Sequence, residues 1–247
     1  MNPQSIFGDL LQTQYQIWLL KGFLVTLEVT VLVIPAASFL GFLTAIARNS
    51  RWRALAWGTA SLVSLLRNSP LLVQLFFWYF GASAVLPDGV RDWLNDTHVA
   101  VLFGVPIEWP SYEFVCGVFG LVLYSAAYVS EEIRAGMRGV PKSQRYAAQA
   151  LGLRPVQVFR YVILPQAFRI SLPTLMGQYM NIVKNSSLTM AIGVMEISYA
   201  SRQVESVTFK TFQAFGMATL FYIMIIAVIE VLAQFLQRHF PVAGARR

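Results

Sequence analysis

The sequence predicts an all-α membrane protein with five transmembrane helices, in one domain over residues 1–247. Of its 247 residues 56% are hydrophobic and 13% are charged, whereas soluble domains carry about 25% charged residues. Five apolar segments each reach the roughly 20 residues that a helix needs to cross a bilayer. They are Phe23–Ile46, Ala54–Leu86, Phe114–Ser130, Ile170–Met195 and Ala214–Leu236. The longest polar stretch, roughly 40 residues, is too short for a soluble core of its own.

The distribution of Lys and Arg predicts the orientation of these helices. If the N-terminus lies outside and five spans alternate, the inner side receives 13 basic and two acidic residues. The outer side then receives four basic and eight acidic residues. Because basic residues collect in cytoplasmic loops, this 13 to 4 bias predicts an outer N-terminus and a cytoplasmic C-terminus. Residues 1–22 are then an outer segment, and residues 131–169 are a cytoplasmic loop.

Several function classes find no support in the sequence. The net charge of +7 is explained by topology, because no basic face is interleaved with stacking aromatic residues as in nucleic-acid-binding proteins. There is no phosphate-binding loop of the G-x-x-x-x-G-K-[ST] type and no catalytic motif of a zinc protease or serine hydrolase. The single cysteine, Cys116, excludes an internal disulfide and disfavours a metal cluster.

Proline and glycine divide the cytoplasmic loop into two short helices. Pro141 can begin the first helix, because the first helical position needs no backbone N–H. Gly152 can end it in a left-handed conformation. Pro155 can begin the second helix, and we expect Pro165 to stop it. Two short helices with an alanine-rich face, projecting between spans, are typical of a docking element rather than of a linker.

The second apolar segment is too long for one span and carries a proline. Its 33 residues would extend about 50 Å as one helix, against a hydrocarbon core of about 30 Å. Pro70 removes a backbone donor and disfavours a helical conformation at Ser69. We therefore expect a break at Arg67–Pro70, with an interfacial half before it and a spanning half from Leu71.

Two similar polar pentapeptides interrupt the apolar segments: Arg67-Asn68-Ser69-Pro70-Leu71 and Lys184-Asn185-Ser186-Ser187-Leu188. Charged residues at membrane depth usually face a bundle interior or a watery cavity. Broken helices with exposed backbone groups form the polar sites of many transporters. One interpretation is therefore a polar lining on a solute path. The other is structural: Arg67 extends to the inner headgroups, and Lys184 pairs with Glu28 or Glu230.

The spacing of Ala147-Ala148, Gly152 and Leu164-Pro165 resembles the EAA loop of ABC importer permeases, although Tyr146 replaces the glutamate that gives the loop its name. In that family the loop seats in a groove of the ATPase subunit. The resemblance implies that the ATPase contacts Tyr146, Ala147, Ala148, Ala150, Leu151, Gly152 and Leu153.

Three ordered motifs are similar to those of polar amino-acid permeases of the histidine/glutamate type. They are residues 67–75, residues 163–169 and residues 184–188, and the resemblance extends from the first span to the fifth. Within that family, Arg67–Pro70 and Val183–Ser186 are most similar to the glutamate/aspartate permeases. The resemblance implies solute contacts at Arg67, Asn68, Ser69, Pro70, Gln74, Lys184, Asn185, Ser186 and Ser187.

The resemblance also implies a function and a set of partners. The chain would be the permease subunit of an ATP-driven amino-acid importer in the bacterial inner membrane, with glutamate or aspartate as solute. It would hold no cofactor, because ATP and magnesium bind the partner ATPase pair. The expected partners are a periplasmic amino-acid-binding protein and a second, homologous permease subunit in a heterodimer. Alternatives are other polar or basic amino acids, a secondary transporter and a membrane-embedded enzyme.

The predicted orientation can be tested by thiol labelling. In a Cys116→Ser background, we expect Asp92→Cys to react with an impermeant thiol reagent in intact spheroplasts and Ser143→Cys to react only after lysis. The physical reason is the excess of Lys and Arg in the loop that contains Ser143. Labelling of Ser143→Cys but not of Asp92→Cys in intact spheroplasts would overturn the whole assignment.

Overall fold

The computed structural model describes residues 13–96, 99–102, 105–108 and 110–241. Helices make up most of the described chain. In order they are α1 (Thr13–Arg48), α2 (Arg53–Arg67), α3 (Leu71–Phe76), α4 (Ala82–Val85), α5 (Asp88–Asn95), α6 (Tyr112–Gly139), α7 (Lys142–Ala150), α8 (Pro155–Gln157), α9 (Leu164–Ser186), α10 (Ile197–Thr208) and α11 (Thr211–His239). Two π-helical segments, Phe77–Gly81 and Val158–Ile163, and a 3₁₀ helix, Ser187–Ile192, join some of them.

The predicted all-α class is confirmed, with one small exception in the longest predicted outer loop. Strands β1 (Val99–Leu102) and β2 (Val105–Glu108) form an antiparallel hairpin in which Val99 pairs with Glu108 and Leu102 pairs with Val105. Valine favours extended backbone, which accounts for a strand over Val99–Leu102. The sequence analysis did not predict this hairpin.

Three of the described helices are long and apolar enough to cross a membrane: α1, α6 and α11. The count becomes four if α2 and the helical stretch Leu71–Val85 form one interrupted span. The predicted segment Ile170–Met195 is divided between α9 and the 3₁₀ helix, and its polar residues lower its hydropathy. Five spans therefore remain a prediction.

The predicted break in the second apolar segment is confirmed. Helix α2 ends at Arg67, and α3 begins at Leu71 after Pro70, whose ψ of 135° is extended. At the other end of α2, Trp52 is 78% exposed and Trp57 is 77% exposed. Exposed tryptophans suit a headgroup zone, as expected for an interfacial half.

The N-terminal segment differs from its predicted bounds. Residues 1–12 lie outside the described residues, and residues 13–22 are the first turns of the continuous helix α1. The helices that flank the loop predicted over 131–169 continue into it, because α6 extends to Gly139 and α9 begins at Leu164. Both differences arise because helices continue past the apolar residues from which they were predicted.

The first short helix of the loop ends as predicted. Gly152 has a φ of +79°, a conformation that glycine adopts without steric cost. The N–H of Gly152 donates to the carbonyl of Gln149 at 2.9 Å, and the N–H of Leu153 donates to that of Ala148 at 3.2 Å. These two bonds form a Schellman motif, which satisfies the last carbonyls of α7. Pro141 was predicted to occupy the first helical position, but it lies directly before that position, because α7 begins at Lys142.

Pro155 begins the second short helix as predicted, but the prediction that Pro165 stops it is wrong. The chain continues from α8 through the π-helical segment Val158–Ile163 into α9, with Pro165 inside its first turn. The wider π turn changes the spacing of the carbonyls before the proline. The side-chain amide of Gln166 donates to the Val162 carbonyl at 2.9 Å, which satisfies one of these carbonyls.

The chain divides into two compact units that alternate along the sequence. The first contains residues 1–33, 69–122 and 183–223, and the second contains residues 34–68, 123–182 and 224–247. Their charges are opposite in sign. Among the described residues, the first unit has five basic and eight acidic residues, whereas the second has twelve basic and three acidic residues.

The core of the first unit packs α1 against α10 and α11. Tyr15, Leu19 and Val204 are buried together with Ala200 and Ala214. Beyond this cluster, the hydroxyl oxygen of Thr26 accepts a hydrogen bond from the Ile197 N–H at 3.2 Å. This bond satisfies a donor at the start of α10 that has no partner inside the helix.

In the second unit α6 and α9 approach each other closely at Gly136. A Cβ atom added at Gly136 would lie 2.5 Å from the Ala167 carbonyl oxygen and 2.9 Å from the Ser171 Cβ. Only glycine fits this contact, since ordinary carbon contacts are about 3.5–4.0 Å. The short helices of the loop fold onto the same part of the unit, where Ala148, Val158 and Ile163 are buried together with Ala167.

Glu131 on α6 is surrounded by three arginines of the second unit. It forms a short ion pair with Arg48, at the end of α1. Arg67 approaches the same carboxylate oxygen at 3.6 Å, and Arg134 approaches the other oxygen at 3.6 Å. The Arg67 guanidinium also lies over the ring of Tyr128, 5.1 Å from its centroid. One carboxylate therefore holds the ends of α1 and α2 against α6.

We expect Glu131→Gln to lower the stability of the protein more than Glu132→Gln. The first change removes the one negative charge shared by three arginines, and the loss of a charged hydrogen bond costs about 2 kcal/mol. Glu132 is a matched control, because its side chain accepts a long 3.5 Å hydrogen bond from Gln178 and forms no ion pair with the described residues. Thermal unfolding of the detergent-purified protein measures both changes. Equal melting temperatures for the two variants would contradict the role of Glu131.

Candidate functional site

The first predicted polar segment is divided between the two units. Arg67 and Asn68 belong to the second unit, and Ser69, Pro70 and Gln74 belong to the first. Gln74 is buried, and its amide donates to the Ser69 hydroxyl at 2.8 Å and to the Ser69 carbonyl at 3.2 Å. This pair of bonds closes the turn that Pro70 opens at the start of α3.

The second predicted polar segment, Lys184–Ser187, lies in the first unit where α9 changes into the 3₁₀ helix. Ser186 is fully buried, and its hydroxyl donates to the Val183 carbonyl at 2.8 Å. The Ser187 hydroxyl donates to the Lys184 carbonyl at 2.7 Å. Such bonds from a hydroxyl to the preceding turn compete with the regular helix ladder. These bonds occur where α9 gives way to the more tightly wound 3₁₀ helix.

The first unit brings parts of the two polar segments together. Helix α3, which begins directly after Pro70, packs against the 3₁₀ helix that begins at Ser187. Gly193 ends this 3₁₀ helix with a φ of +96°. Two interrupted helices therefore meet beside their breaks, an arrangement by which transporters place backbone and side-chain polar groups inside a membrane.

Lys184 is exposed and Asn185 is half-buried. Within the described part of the first unit, no carboxylate forms an ion pair with Lys184, although Glu28 belongs to that unit. The predicted structural pair between Lys184 and Glu28 is therefore not formed. The Lys184 side chain is therefore exposed near the end of α9, beside the start of the 3₁₀ helix.

Arg67 faces a small polar cavity of about 260 Å³ within the second unit. Its walls include Arg48, Ser64, Asn68, Tyr128 and Glu131. The Tyr128 hydroxyl donates to the Arg67 carbonyl at 3.3 Å. The Arg67 guanidinium is thus held by a carboxylate and an aromatic ring rather than extended freely into solvent, and it still borders space for a small ligand.

The sequence analysis missed the role of Glu131. It counted Glu131 only as one of two inner acidic residues. The available signal was the pair Glu131 and Arg134, which lie three residues apart and therefore on one helix face. The approach of Arg48 and Arg67 depends on how α1 and α2 pack, so no sequence spacing indicated it.

Glu196 is a buried acidic residue that the sequence did not indicate. It is fully buried at the start of α10, where it accepts a bond from the Tyr199 N–H at 3.0 Å and from the Tyr222 hydroxyl. Burial raises the pKa of the Glu196 carboxyl above its usual value, although these hydrogen bonds and those from Ser198 act to lower it. The group caps α10 and ties it to α11.

The predicted docking loop exposes some apolar residues on its first helix and turn, beside the exposed Lys142, Arg145 and Gln149. Tyr146 is 64% exposed and Leu151 is 83% exposed. Ala147, Ala150 and Gly152 are also exposed. Ala148 is buried and Leu153 is half-buried, because both pack into the core of the loop itself. The seven predicted docking residues therefore divide into five that can touch a partner and two that support them.

A metal centre is not found in the part of the chain that the structure describes, where no three His, Cys, Asp or Glu residues are grouped as ligands. The candidate site is therefore a set of polar groups at helix breaks, together with an exposed loop.

Comparison with known proteins places this arrangement in a family. The chain is 30% identical over 241 residues to the glutamate/aspartate import permease protein GltJ of Escherichia coli strain K12, covering 98% of this chain and 93% of that protein. It is 29% identical to the arginine ABC transporter permease protein ArtQ of the same strain, covering 91% and 93%.

The fold is similar to that of a chain from the crystal structure of an amino acid ABC transporter with histidines. The TM-score is 0.75 at 28% sequence identity, and the match covers 92% of this chain and 95% of that one. Residues 37–241 match the family described as binding-protein-dependent transport system inner membrane component. The chain belongs to this family of inner-membrane transport components.

Proposed function

We propose that the chain is the permease subunit of an ATP-driven amino-acid importer and forms part of its translocation path. The observation that carries this proposal is the similarity over nearly the whole chain to GltJ and to the amino acid transporter structure. The paired helix breaks at Pro70 and Ser187 support it, because they bring polar groups to one place in the first unit. ATP hydrolysis belongs to a separate ATPase subunit.

The proposed solute class is acidic amino acids, namely glutamate and aspartate. Each brings a second carboxylate, and charge-assisted hydrogen bonds to a carboxylate are about twice as strong as neutral ones. Lys184 offers an exposed ammonium group without a carboxylate partner in the described part of its unit, and Arg67 borders a polar cavity. The similarity to the arginine permease ArtQ favours a second candidate, a basic or other polar amino acid.

The proposed partners are an ATPase pair, a periplasmic amino-acid-binding protein and a second permease subunit. Helix α11 offers an apolar surface for a second subunit, because large side chains such as Leu220, Val228 and Val231 are more than 60% exposed. Lipid and a neighbouring helix bundle can both cover such a surface. We infer a heterodimer with a homologous permease, on the resemblance to acidic amino-acid systems.

The proposed orientation is an outer N-terminus and a cytoplasmic C-terminus. The opposite charges of the two units support it, since the second unit contains all eleven of the described basic residues that are assigned to the inner side. The docking loop belongs to that same unit. The loop would then face the compartment in which ATP is available.

We expect Lys184→Met to reduce uptake more for glutamate and aspartate than for glutamine. The change removes a cation that would bind the side-chain carboxylate of an acidic solute. Uptake is measured in proteoliposomes that contain the complete transporter and saturating binding protein. Arg67→Met should also reduce uptake, with less change in preference, because the Arg67 guanidinium is already partly engaged by Glu131.

Lys21→Met is the matched control, because Lys21 is another exposed lysine of the first unit and lies outside both polar segments. It should leave both rates and ratios unchanged. If Lys184→Met behaves like Lys21→Met, the assignment of Lys184 as a solute contact is wrong. A larger loss for arginine than for glutamate would favour the basic-solute candidate.

We expect Gly152→Leu to abolish transport and to weaken co-purification of the ATPase, while membrane insertion is kept. A side chain at this left-handed position costs roughly 1 kcal/mol and disrupts the Schellman turn beside the exposed Leu151. Gly89→Leu is the control, because Gly89 has ordinary φ and no atom within 4 Å of an added Cβ. Normal ATP-driven uptake by Gly152→Leu would make the loop a structural connector.

A further inference from the structure

A strongly basic cavity lies between the end of α6 and the docking loop, within the second unit. Its volume is about 790 Å³. Arg134 and Arg138 of α6 and Lys142 and Arg145 of α7 line it, and no aspartate or glutamate does. The neighbouring Glu131 pairs with Arg134 alone among these four cations. Arg138, Lys142 and Arg145 are exposed and form no ion pair with the described residues.

The floor of this cavity is apolar. It is formed by Val140 and Ile163, which are 9% and 6% exposed, and by the half-buried Phe159. A second cavity of about 700 Å³ shares Phe159 and Ile163 with the first. The two cavities also share Asn49, Arg145 and Gln149, and the second is lined further by Ile46, Ala47, Leu55, Pro155, Val158, Ser50 and Arg51. Together the two cavities form a groove in which cations lie beside a continuous row of apolar side chains.

The basic end of the groove lies where an apolar helix finishes. Arg134 and Arg138 occupy the last two turns of α6, which is long and apolar enough to cross a membrane. The end of a spanning helix is the level at which lipid headgroups meet protein. Basic pockets between spanning helices on the cytoplasmic side are suited to lipid phosphates.

We propose that this groove binds an anionic phospholipid, with its phosphate among Arg138, Lys142 and Arg145 and part of an acyl chain beside Phe159 and Leu55. Four cations around one cavity repel each other, and a bound phosphate relieves that repulsion. A free anion would satisfy the cations but would leave the apolar side chains of the groove in water. An amphiphile matches both kinds of lining. The lipid would hold the docking loop against α6.

The test measures lipid binding rather than transport, so its result is independent of which solute is carried. The complete transporter is purified in detergent and titrated with dioleoylphosphatidylglycerol or with dioleoylphosphatidylcholine. Native mass spectrometry then counts retained lipid. The wild-type complex should retain the anionic lipid in preference to the neutral one. The double variant Arg138→Gln/Lys142→Gln should weaken that retention by roughly tenfold or more, since each basic residue contributes about 1 kcal/mol.

The matched control is Arg154→Gln/Arg169→Gln, which removes the same charge from exposed residues of the same unit that line neither cavity. It should retain the lipid like the wild type. Equal loss in both double variants would overturn the proposal in favour of diffuse charge attraction. Displacement of the lipid by excess inorganic phosphate would indicate a free-anion site and would also overturn it. Unchanged lipid retention with loss of the ATPase from Arg138→Gln/Lys142→Gln would assign the cavity to that partner.

Discussion

The constraint on which this structure depends is that polar groups among apolar helices must find partners within the chain. Thr26 shows this twice, because its hydroxyl donates to the Gly22 carbonyl at 3.1 Å and accepts from the Ile197 N–H. The side-chain amide of Gln166 likewise donates a hydrogen bond to the carbonyl of Val162. In a membrane each unsatisfied group costs several kcal/mol. The helix breaks are therefore stable where side chains replace the missing backbone bonds.

Features set by a few neighbouring residues could be predicted from the sequence. Pro70 indicated the break after Arg67, and Gly152 indicated the end of α7, because each depends on backbone sterics within one turn. The prediction that Pro165 stops a helix was wrong. Proline usually ends a helix through its local backbone geometry, but the π turn before Pro165 lets the helix continue. That outcome depends on the packing of Val158 and Ile163 in the loop core.

In the candidate site, too, the features that depend on neighbouring residues could be predicted, whereas those that depend on tertiary packing could not. The family and the two polar segments could be recognised from residue order, since motifs are local. The partners of Glu131 could not, because Arg48 and Arg67 come from two other helices and meet the carboxylate only after packing. The two cations of the polar segments therefore have different surroundings. Arg67 is held in an internal network, whereas Lys184 is exposed and forms no ion pair within the described part of its unit.

The π-helical segment Val158–Ile163 also controls the angular position of everything that follows it in α9. A π turn contains an extra residue relative to an α turn, and one residue corresponds to about 100° around a helix axis. An α9 without that insertion would present a different face at every position from Leu164 to Ser186. The wide turn beside the docking loop therefore sets which residues of α9 face the core of the second unit.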